Sequence, residues 1–219
     1  MFGKFISVNV ERIFSDPDIY VFRSIASDDW MYRLRRFASF NLQPSMVINL
    51  HTGELEVSHL RVAEAAWYGL ENDPFYKRIR AKLTIATGLS LTTVEKLQLA
   101  NYGLGGYYTF HYDFLTKEMA KNDQFTVEKG NRLATFMLYM SDIPLGGRTG
   151  FSRLGISLKP SKGDALFWYN LFPDESGDPR THVLSCPVAL GSSWAGSIWI
   201  RSNGEEFTRP CSLEQQNGI

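Results

Sequence analysis

Histidine and cysteine, the side chains that most often carry metal and nucleophilic chemistry, are scarce in this sequence. Its 219 residues hold four histidines (His51, His59, His111 and His182) and two cysteines, Cys186 and Cys211. Neither cysteine has a Cys-x-x-Cys partner, so no dithiol motif is available, and the pair is open between one disulfide and two buried thiols. His51 and His59 have no nucleophile motif beside them, which disfavours hydrolytic chemistry. An excess of either charge sign is missing too: Lys plus Arg and Asp plus Glu number 23 each. That balance removes the basic footprint of a nucleic-acid partner, and there is no acidic tail of the kind that solvates a disordered segment. No apolar run approaches the roughly 18 residues of a membrane helix, so no membrane span is expected. The opening Met1-Phe-Gly-Lys-Phe-Ile-Ser-Val-Asn-Val-Glu is too briefly apolar for a signal peptide, and the closing Gln-Gln-Asn-Gly-Ile219 is no retention tetrapeptide.

Aromatic residues are plentiful instead, with 15 Phe, 10 Tyr and 5 Trp, in a chain long enough to bury a sizeable core. They are dense in Asn101-Tyr-Gly-Leu-Gly-Gly-Tyr-Tyr-Thr-Phe-His-Tyr-Asp113. His111 and Asp113 stand two apart in a strand-like segment, so both side chains project from one face. An imidazole and a carboxylate converging from a rigid element are two thirds of the 2-His-1-carboxylate triad that holds non-haem Fe(II).

Turn and cap signals organise the rest. Asp16–Phe22 reads as a turn into a strand, and Ser27 caps a helix over Trp30–Phe37. Val47–Leu50 and Leu55–Val57 read as a hairpin around Gly53, while 60–68 is left open. Asp73-Pro74 starts a helix that Gly88 stops, with Phe75, Ile79, Leu83 and Ala86 as its buried stripe. Thr116–Asn131 is polar and expected to be a mobile loop. Strands are expected over 97–102, 133–140, 155–158 and 164–170, and then as two long ones, His182–Leu190 and Ser193–Arg201. Helices first and many short strands after, without alternation, predict an α+β domain with an antiparallel β core, a sandwich or jelly roll backed by N-terminal helices. No repeat, low-complexity tract or linker interrupts it.

From about Asp16 to Cys211 the sequence resembles the catalytic domain of the collagen-type prolyl 4-hydroxylase alpha subunits, of the Fe(II)/2-oxoglutarate dioxygenases. The likeness runs in order through Thr52-Gly-Glu-Leu-Glu, Ser58-His-Leu-Arg-Val, Thr87-Gly-Leu-Ser, Asn101-Tyr-Gly, Gly130-Asn-Arg-Leu-Ala-Thr, Tyr139-Met-Ser-Asp, Gly146-Gly-Arg-Thr, Phe167-Trp-Tyr-Asn-Leu, Cys186-Pro-Val and Glu205-Glu-Phe-Thr-Arg-Pro-Cys211. It implies a double-stranded β-helix (jelly roll) over 16–211, with 1–15 as an N-terminal extension and 212–219 as a tail. It also implies Fe(II), 2-oxoglutarate, O2 and L-ascorbate, and a proline-containing peptide such as procollagen as substrate. A protein disulfide isomerase subunit is an implied partner, and the endoplasmic reticulum lumen an implied location. The family's N-terminal dimerisation and peptide-binding region is not expected within this sequence, which reads either as a truncated or as a minimal relative. A Cys186–Cys211 disulfide is implied, closing a loop worth about 3 kcal/mol by chain entropy.

Carried over residue by residue, His111 and Asp113 match the first two iron ligands, and Tyr102 and Thr135 match residues lining the 2-oxoglutarate pocket. Tyr108, Tyr139 and Trp199 are expected as walls. Two positions depart. Where the family reads Thr-Arg-His-Ala-Ala-Cys-Pro-Val, this chain reads Thr181-His-Val-Leu-Ser-Cys-Pro-Val188, so Val183 stands at the third ligand. His182 joins the metal set only through a bulge or slip, because one residue of offset turns a side chain to the opposite face. The lysine that grips the distal carboxylate of 2-oxoglutarate is Ser193 here, and the family's Trp-x-His ends as Trp199-Ile-Arg201. Arg201 lies too far along the strand to replace the lysine, and it is expected to meet the ligand from another direction. Two functions therefore compete: a prolyl 4-hydroxylase-type dioxygenase, or an impaired relative that binds peptide or a partner subunit.

Overall fold

A computed structural model describes residues 7–48, 54–205, 208 and 210. Two antiparallel sheets face each other. The larger has eight strands in the order Val10–Ser15, Asp18–Phe22, Ala165–Tyr169, Arg132–Tyr139, Ser193–Arg201, Leu97–Tyr102, Glu64–Tyr68 and Gln43–Pro44. The smaller has five: Ile156–Leu158, Thr149–Phe151, Val183–Ser185, Tyr107–His111 and Arg61–Val62. This is the expected jelly roll.

Strand parity divides the core in two. On one face of the large sheet, Phe136, Leu138 and Ile198 pack with the helices Asp28–Ser39 and Pro74–Thr87 through Trp30, Met31, Leu34, Tyr76, Ile79 and Leu83. On the other face, Ile19, Val21, Tyr139, Leu166 and Trp168 meet Phe151 and Val183 of the small sheet. Because Arg132–Tyr139 is covered on both sides, it reads as a nearly unbroken apolar run.

Both helices begin at the expected caps. Ser27 Oγ accepts from the Trp30 N–H, and Asp73 Oδ1 accepts from Phe75 and Tyr76 at 2.7 and 2.9 Å. Gly88 closes the second helix in the left-handed region (φ 77°), as a C-terminal glycine should. Its buried stripe is Tyr76, Ile79 and Leu83; Phe75 is only half-buried and Ala86 is exposed, so the expected stripe is off at both ends. The open stretch resolves into Arg61–Val62 and Glu64–Tyr68, one strand for each sheet.

Three expectations change. Residues 116–131 form two short helices, Lys117–Asn122 and Gln124–Lys129, rather than a loop. They are held by the Asp123 cap on the Thr126 N–H, by Asn131 bonding both backbone groups of Leu115, and by Arg201 donating to Thr126 Oγ1 and the Gly130 carbonyl. The expected long strand over 182–190 is two, Val183–Ser185 and Val188–Leu190, because Pro187 has no N–H for the ladder. Residues 10–15, placed in the extension, form the outermost strand of the large sheet, paired with Asp18–Phe22. Hairpin residues 49–53, Cys211 with its pairing to Cys186, and the tail 212–219 lie outside the described residues.

Candidate active site

The glycine bend 103–106 carries the chain from the large sheet to the small one. Gly106 donates to the Gly103 carbonyl at 2.8 Å, and a Cβ there would meet the Gly103 and Val62 carbonyls at 2.9 Å. Only glycine lets the backbone turn so tightly against the neighbouring strand. Past the bend, Tyr107–His111 runs along the floor of a cavity between the sheets.

The strand ends at His111, so Asp113 sits in the bend beyond it rather than on the strand. The two side chains converge nonetheless, with His111 Nε2 3.5 Å from Asp113 Oδ1. His111 Nδ1 lies 2.7 Å from the Thr109 carbonyl, which can only accept, so Nδ1 carries a proton and Nε2 is the nitrogen turned to Asp113. Asp113 Oδ2 accepts from Thr135 Oγ1 at 2.6 Å, and Asn170 Nδ2 donates to that hydroxyl at 2.9 Å. Burial alone would raise the Asp113 pKa; the His111 ring, the Arg132 guanidinium and the Thr135 hydroxyl outweigh it and bring it down to about 2. An imidazole and an ionised carboxylate, each fixed by an outer hydrogen bond, form a preorganised donor pair.

The third position is apolar. Val183 is the Cα partner of His111 across the antiparallel pair, and directly opposed residues share a face. Its isopropyl group, 4% exposed, faces the cavity beside His111 and Asp113. A bulge does occur in this strand pair, but between Val183–His111 and Ser185–Tyr108. It aligns the Tyr108 and His111 rings in a 3.5 Å stack and leaves Val183 opposite His111. His182 is on the other face, stacked at 5.4 Å on Phe110 and 4.7 Å from Tyr112, with Nδ1 against Ser152 Oγ at 2.9 Å. The register slip that would add His182 to the metal set is absent. Among the described residues no third His, Cys, Asp or Glu completes a metal-binding group. Replacing His182 by alanine should leave divalent-metal affinity unchanged by calorimetry, whereas His111→Ala should abolish what binding there is.

The remaining expected site residues divide. Tyr102, Trp199, Tyr108 and Thr135 line the cavity. Thr135, however, spends its proton on Asp113 and acts as an orienting residue. Tyr139 lies deeper, its hydroxyl bonded to Thr149 Oγ1, with Ser193 close by. Arg201 does not reach the cavity. Its guanidinium pairs with Glu95 at 2.8 Å and braces the Gln124–Lys129 helix, so it is structural rather than ligand-binding. Arg132 shares Glu95 and lies 3.8 Å over the Trp199 ring. Arg61, which the sequence reading did not single out, enters the cavity from the small sheet. Its signal was faint: one arginine in Ser58-His-Leu-Arg-Val, on a segment whose secondary structure was open.

Residues 97–201 match the 2OG-Fe(II) oxygenase superfamily, a span running from the strand before the glycine bend to Arg201. The chain carries a 2OG-Fe(II) oxygenase domain. Prolyl 4-hydroxylase subunit alpha-2 of Caenorhabditis elegans is 43% identical over 215 residues, covering 98% of this chain and 40% of the relative. Subunit alpha-1 of Gallus gallus is 40% identical over 95% of this chain, again 40% of the relative's length. The chain thus spans about two fifths of the curated relatives it matches. The viral collagen prolyl hydroxylase of Paramecium Bursaria Chlorella virus-1 superposes with a TM-score of 0.65 at 23% identity, over 92% of this chain and 98% of that one, a likeness of fold. Fe(II), 2-oxoglutarate and ascorbate are the cofactors that membership of this family implies. The side chains of this oxygenase domain do not fit the first two in the usual way. A donor pair faces a valine, and the pocket end where a lysine would neutralise a carboxylate offers Ser193, 7% exposed.

Proposed function

We propose that this domain engages proline-containing peptide in the manner of a prolyl 4-hydroxylase but is impaired in hydroxylating it. The observation that carries this reading is Val183 opposite His111. A metal here would be held by two protein donors, His111 and Asp113, instead of three, and the distal carboxylate of 2-oxoglutarate would meet Ser193 instead of an ammonium, so the oxidative chemistry that Fe(II) and 2-oxoglutarate supply would be weakly supported. What remains suits binding. The half-exposed Trp67 packs at 6.0 Å on Trp199, which lines the cavity together with Tyr108. Flat aromatic faces of this kind accept a proline ring with little ordering cost. A procollagen-type chain as ligand, a protein disulfide isomerase subunit as partner and the endoplasmic reticulum lumen as location follow from the resemblance and belong to this proposal.

A labelled (Pro-Pro-Gly)-repeat peptide titrated by fluorescence anisotropy tests it. Saturable binding is expected, weakened about tenfold by Trp67→Ala, a loss of about 1.4 kcal/mol. In parallel, 2-oxoglutarate decarboxylation should not exceed that of His111→Ala. Turnover clearly above that background would return the domain to the working dioxygenases.

A further inference from the structure

Peptide capture leaves one group in the cavity unexplained. Arg61 stands opposite Tyr108 on the neighbouring strand, and its side chain is buried, with 8% of the residue exposed. It donates to Gln98 Oε1 at 2.7 Å and to Tyr102 Oη at 3.4 Å, and it lies 4.7 Å over the Tyr108 ring. No ion pair to it is found among the described residues, and its Nε is buried without an acceptor. The indole N–H groups of Trp168 and Trp199, which line the same cavity, are also buried without acceptors. Three donors, one of them cationic, therefore surround a space whose own carboxylate, Asp113, is already engaged by Thr135 and faced by His111. A guanidinium withdrawn from water and left unpaired is costly until an anion completes it.

The charge pattern limits which anion fits. Arg61 is the one arginine or lysine among the described residues lining this cavity. A neighbouring cavity that shares Tyr102, Thr149 and Ser185 with this one adds Ser193 and Tyr139, and these hydroxyls are all neutral. Tyr102 is the Cα partner of Ser193, so the guanidinium on its hydroxyl is separated from the lost lysine's position by one side chain. A second carboxylate pushed toward Ser193 would meet hydroxyls and no compensating charge. We propose that the cavity binds a small monocarboxylate, gripped by Arg61 and with its uncharged end among the hydroxyls of Ser185, Thr149 and Ser193. The inference rests on the reading that no metal chelate fills the cavity, but it does not require peptide to bind.

The test uses the full chain, metal-stripped with EDTA, titrated with propionate, 2-oxobutyrate, glutarate and 2-oxoglutarate. Side-chain 15N NMR follows the Arg61 Nε–H and Trp199 Nε1–H signals. The two monocarboxylates should shift both signals saturably and bind at least about tenfold more tightly than either dicarboxylate. Arg61→Gln should lose that binding about tenfold or more, Arg61→Lys should retain part of it, and Ser193→Lys should reverse the preference toward 2-oxoglutarate. Absence of a saturable shift, a wild-type preference for 2-oxoglutarate, or undiminished binding in a folded Arg61→Gln protein would each overturn the proposal. If that variant does not fold, the wild-type signals and the Ser193→Lys reversal decide. Peptide anisotropy measured on the same samples separates the two readings: carboxylate binding without peptide binding sinks only the peptide proposal.

Discussion

Val183→His is expected to turn a weak two-donor site into a three-donor one and to raise divalent-metal affinity by at least about tenfold, the low end of the 10- to 100-fold cost of losing even an outer-shell partner. Geometry favours the substitution. Val183 is opposite His111, the cross-strand spacing brings their Cβ atoms to about 5 Å, and Asp113 Oδ1 already points at His111 Nε2. Neither neighbour has to be re-oriented, since Thr109 and Thr135 hold them now. The larger ring must be fitted where a valine is 4% exposed, so a modest stability loss should accompany the gain. Calorimetric titration with Mn(II) as an oxygen-stable stand-in measures the affinity. The double variant Val183→His/Ser193→Lys should then decarboxylate 2-oxoglutarate above the His111→Ala background. If Val183→His binds metal no better than wild type, the missing third donor is not what weakens the site.

The largest expected stability effect lies on the other face of the sheet, at Asp73. Its carboxylate caps the helix Pro74–Thr87 through two N–H groups and also accepts from Trp30 Nε1 at 3.1 Å and Tyr68 Oη at 2.9 Å. One buried residue thus ties both helices to the strand Glu64–Tyr68. Asp73→Ala removes the cap, worth about 1 kcal/mol, and strands buried donors at about 1–3 kcal/mol each. A total near 3–4 kcal/mol corresponds to a fall of roughly 10 °C in Tm for a domain of this size. Acid should act on the same group. Burial pushes the Asp73 pKa up, but the four hydrogen bonds outweigh it and leave it below the ordinary value. A carboxylate depressed in the folded state contributes stability above its unfolded pKa of about 3.9 and loses it as pH falls through the folded value. Melting curves between about pH 6 and pH 3 should therefore show a larger loss for wild type than for Asp73→Asn, which has no carboxylate to protonate. Equal losses would mean that Asp73 is not a principal acid-sensitive tie.

Much of this was readable along the chain. The caps at Ser27 and Asp73, the stop at Gly88 and the strands around His111 and Ser193 follow from short-range rules, because capping, turn glycines and strand alternation each involve residues a few positions apart. The same short-range logic set Val183 against His182. Side chains alternate with a period of two, so with Thr181 and Cys186 as anchors the offset histidine was already on the wrong face, barring a bulge. Whether a bulge intervened was a matter of pairing between strands some 70 positions apart in sequence.

Long-range pairing also settled what alternation cannot express. Asp113 owes its orientation to Thr135, 22 residues on; Arg201 is taken by Glu95 and by helices expected to be a loop; Arg61 arrives from a strand pair 47 residues before Tyr108. Periodicity assigns a side chain to a face but does not say which partners the opposite sheet brings to meet it. The chain's order thus establishes the jelly roll, the His111–Asp113 pair and the valine beside it. Only the packing of one sheet on the other shows that the cation in the cavity is Arg61 and not Arg201, because that depends on which buried charges find counter-ions in the assembled core.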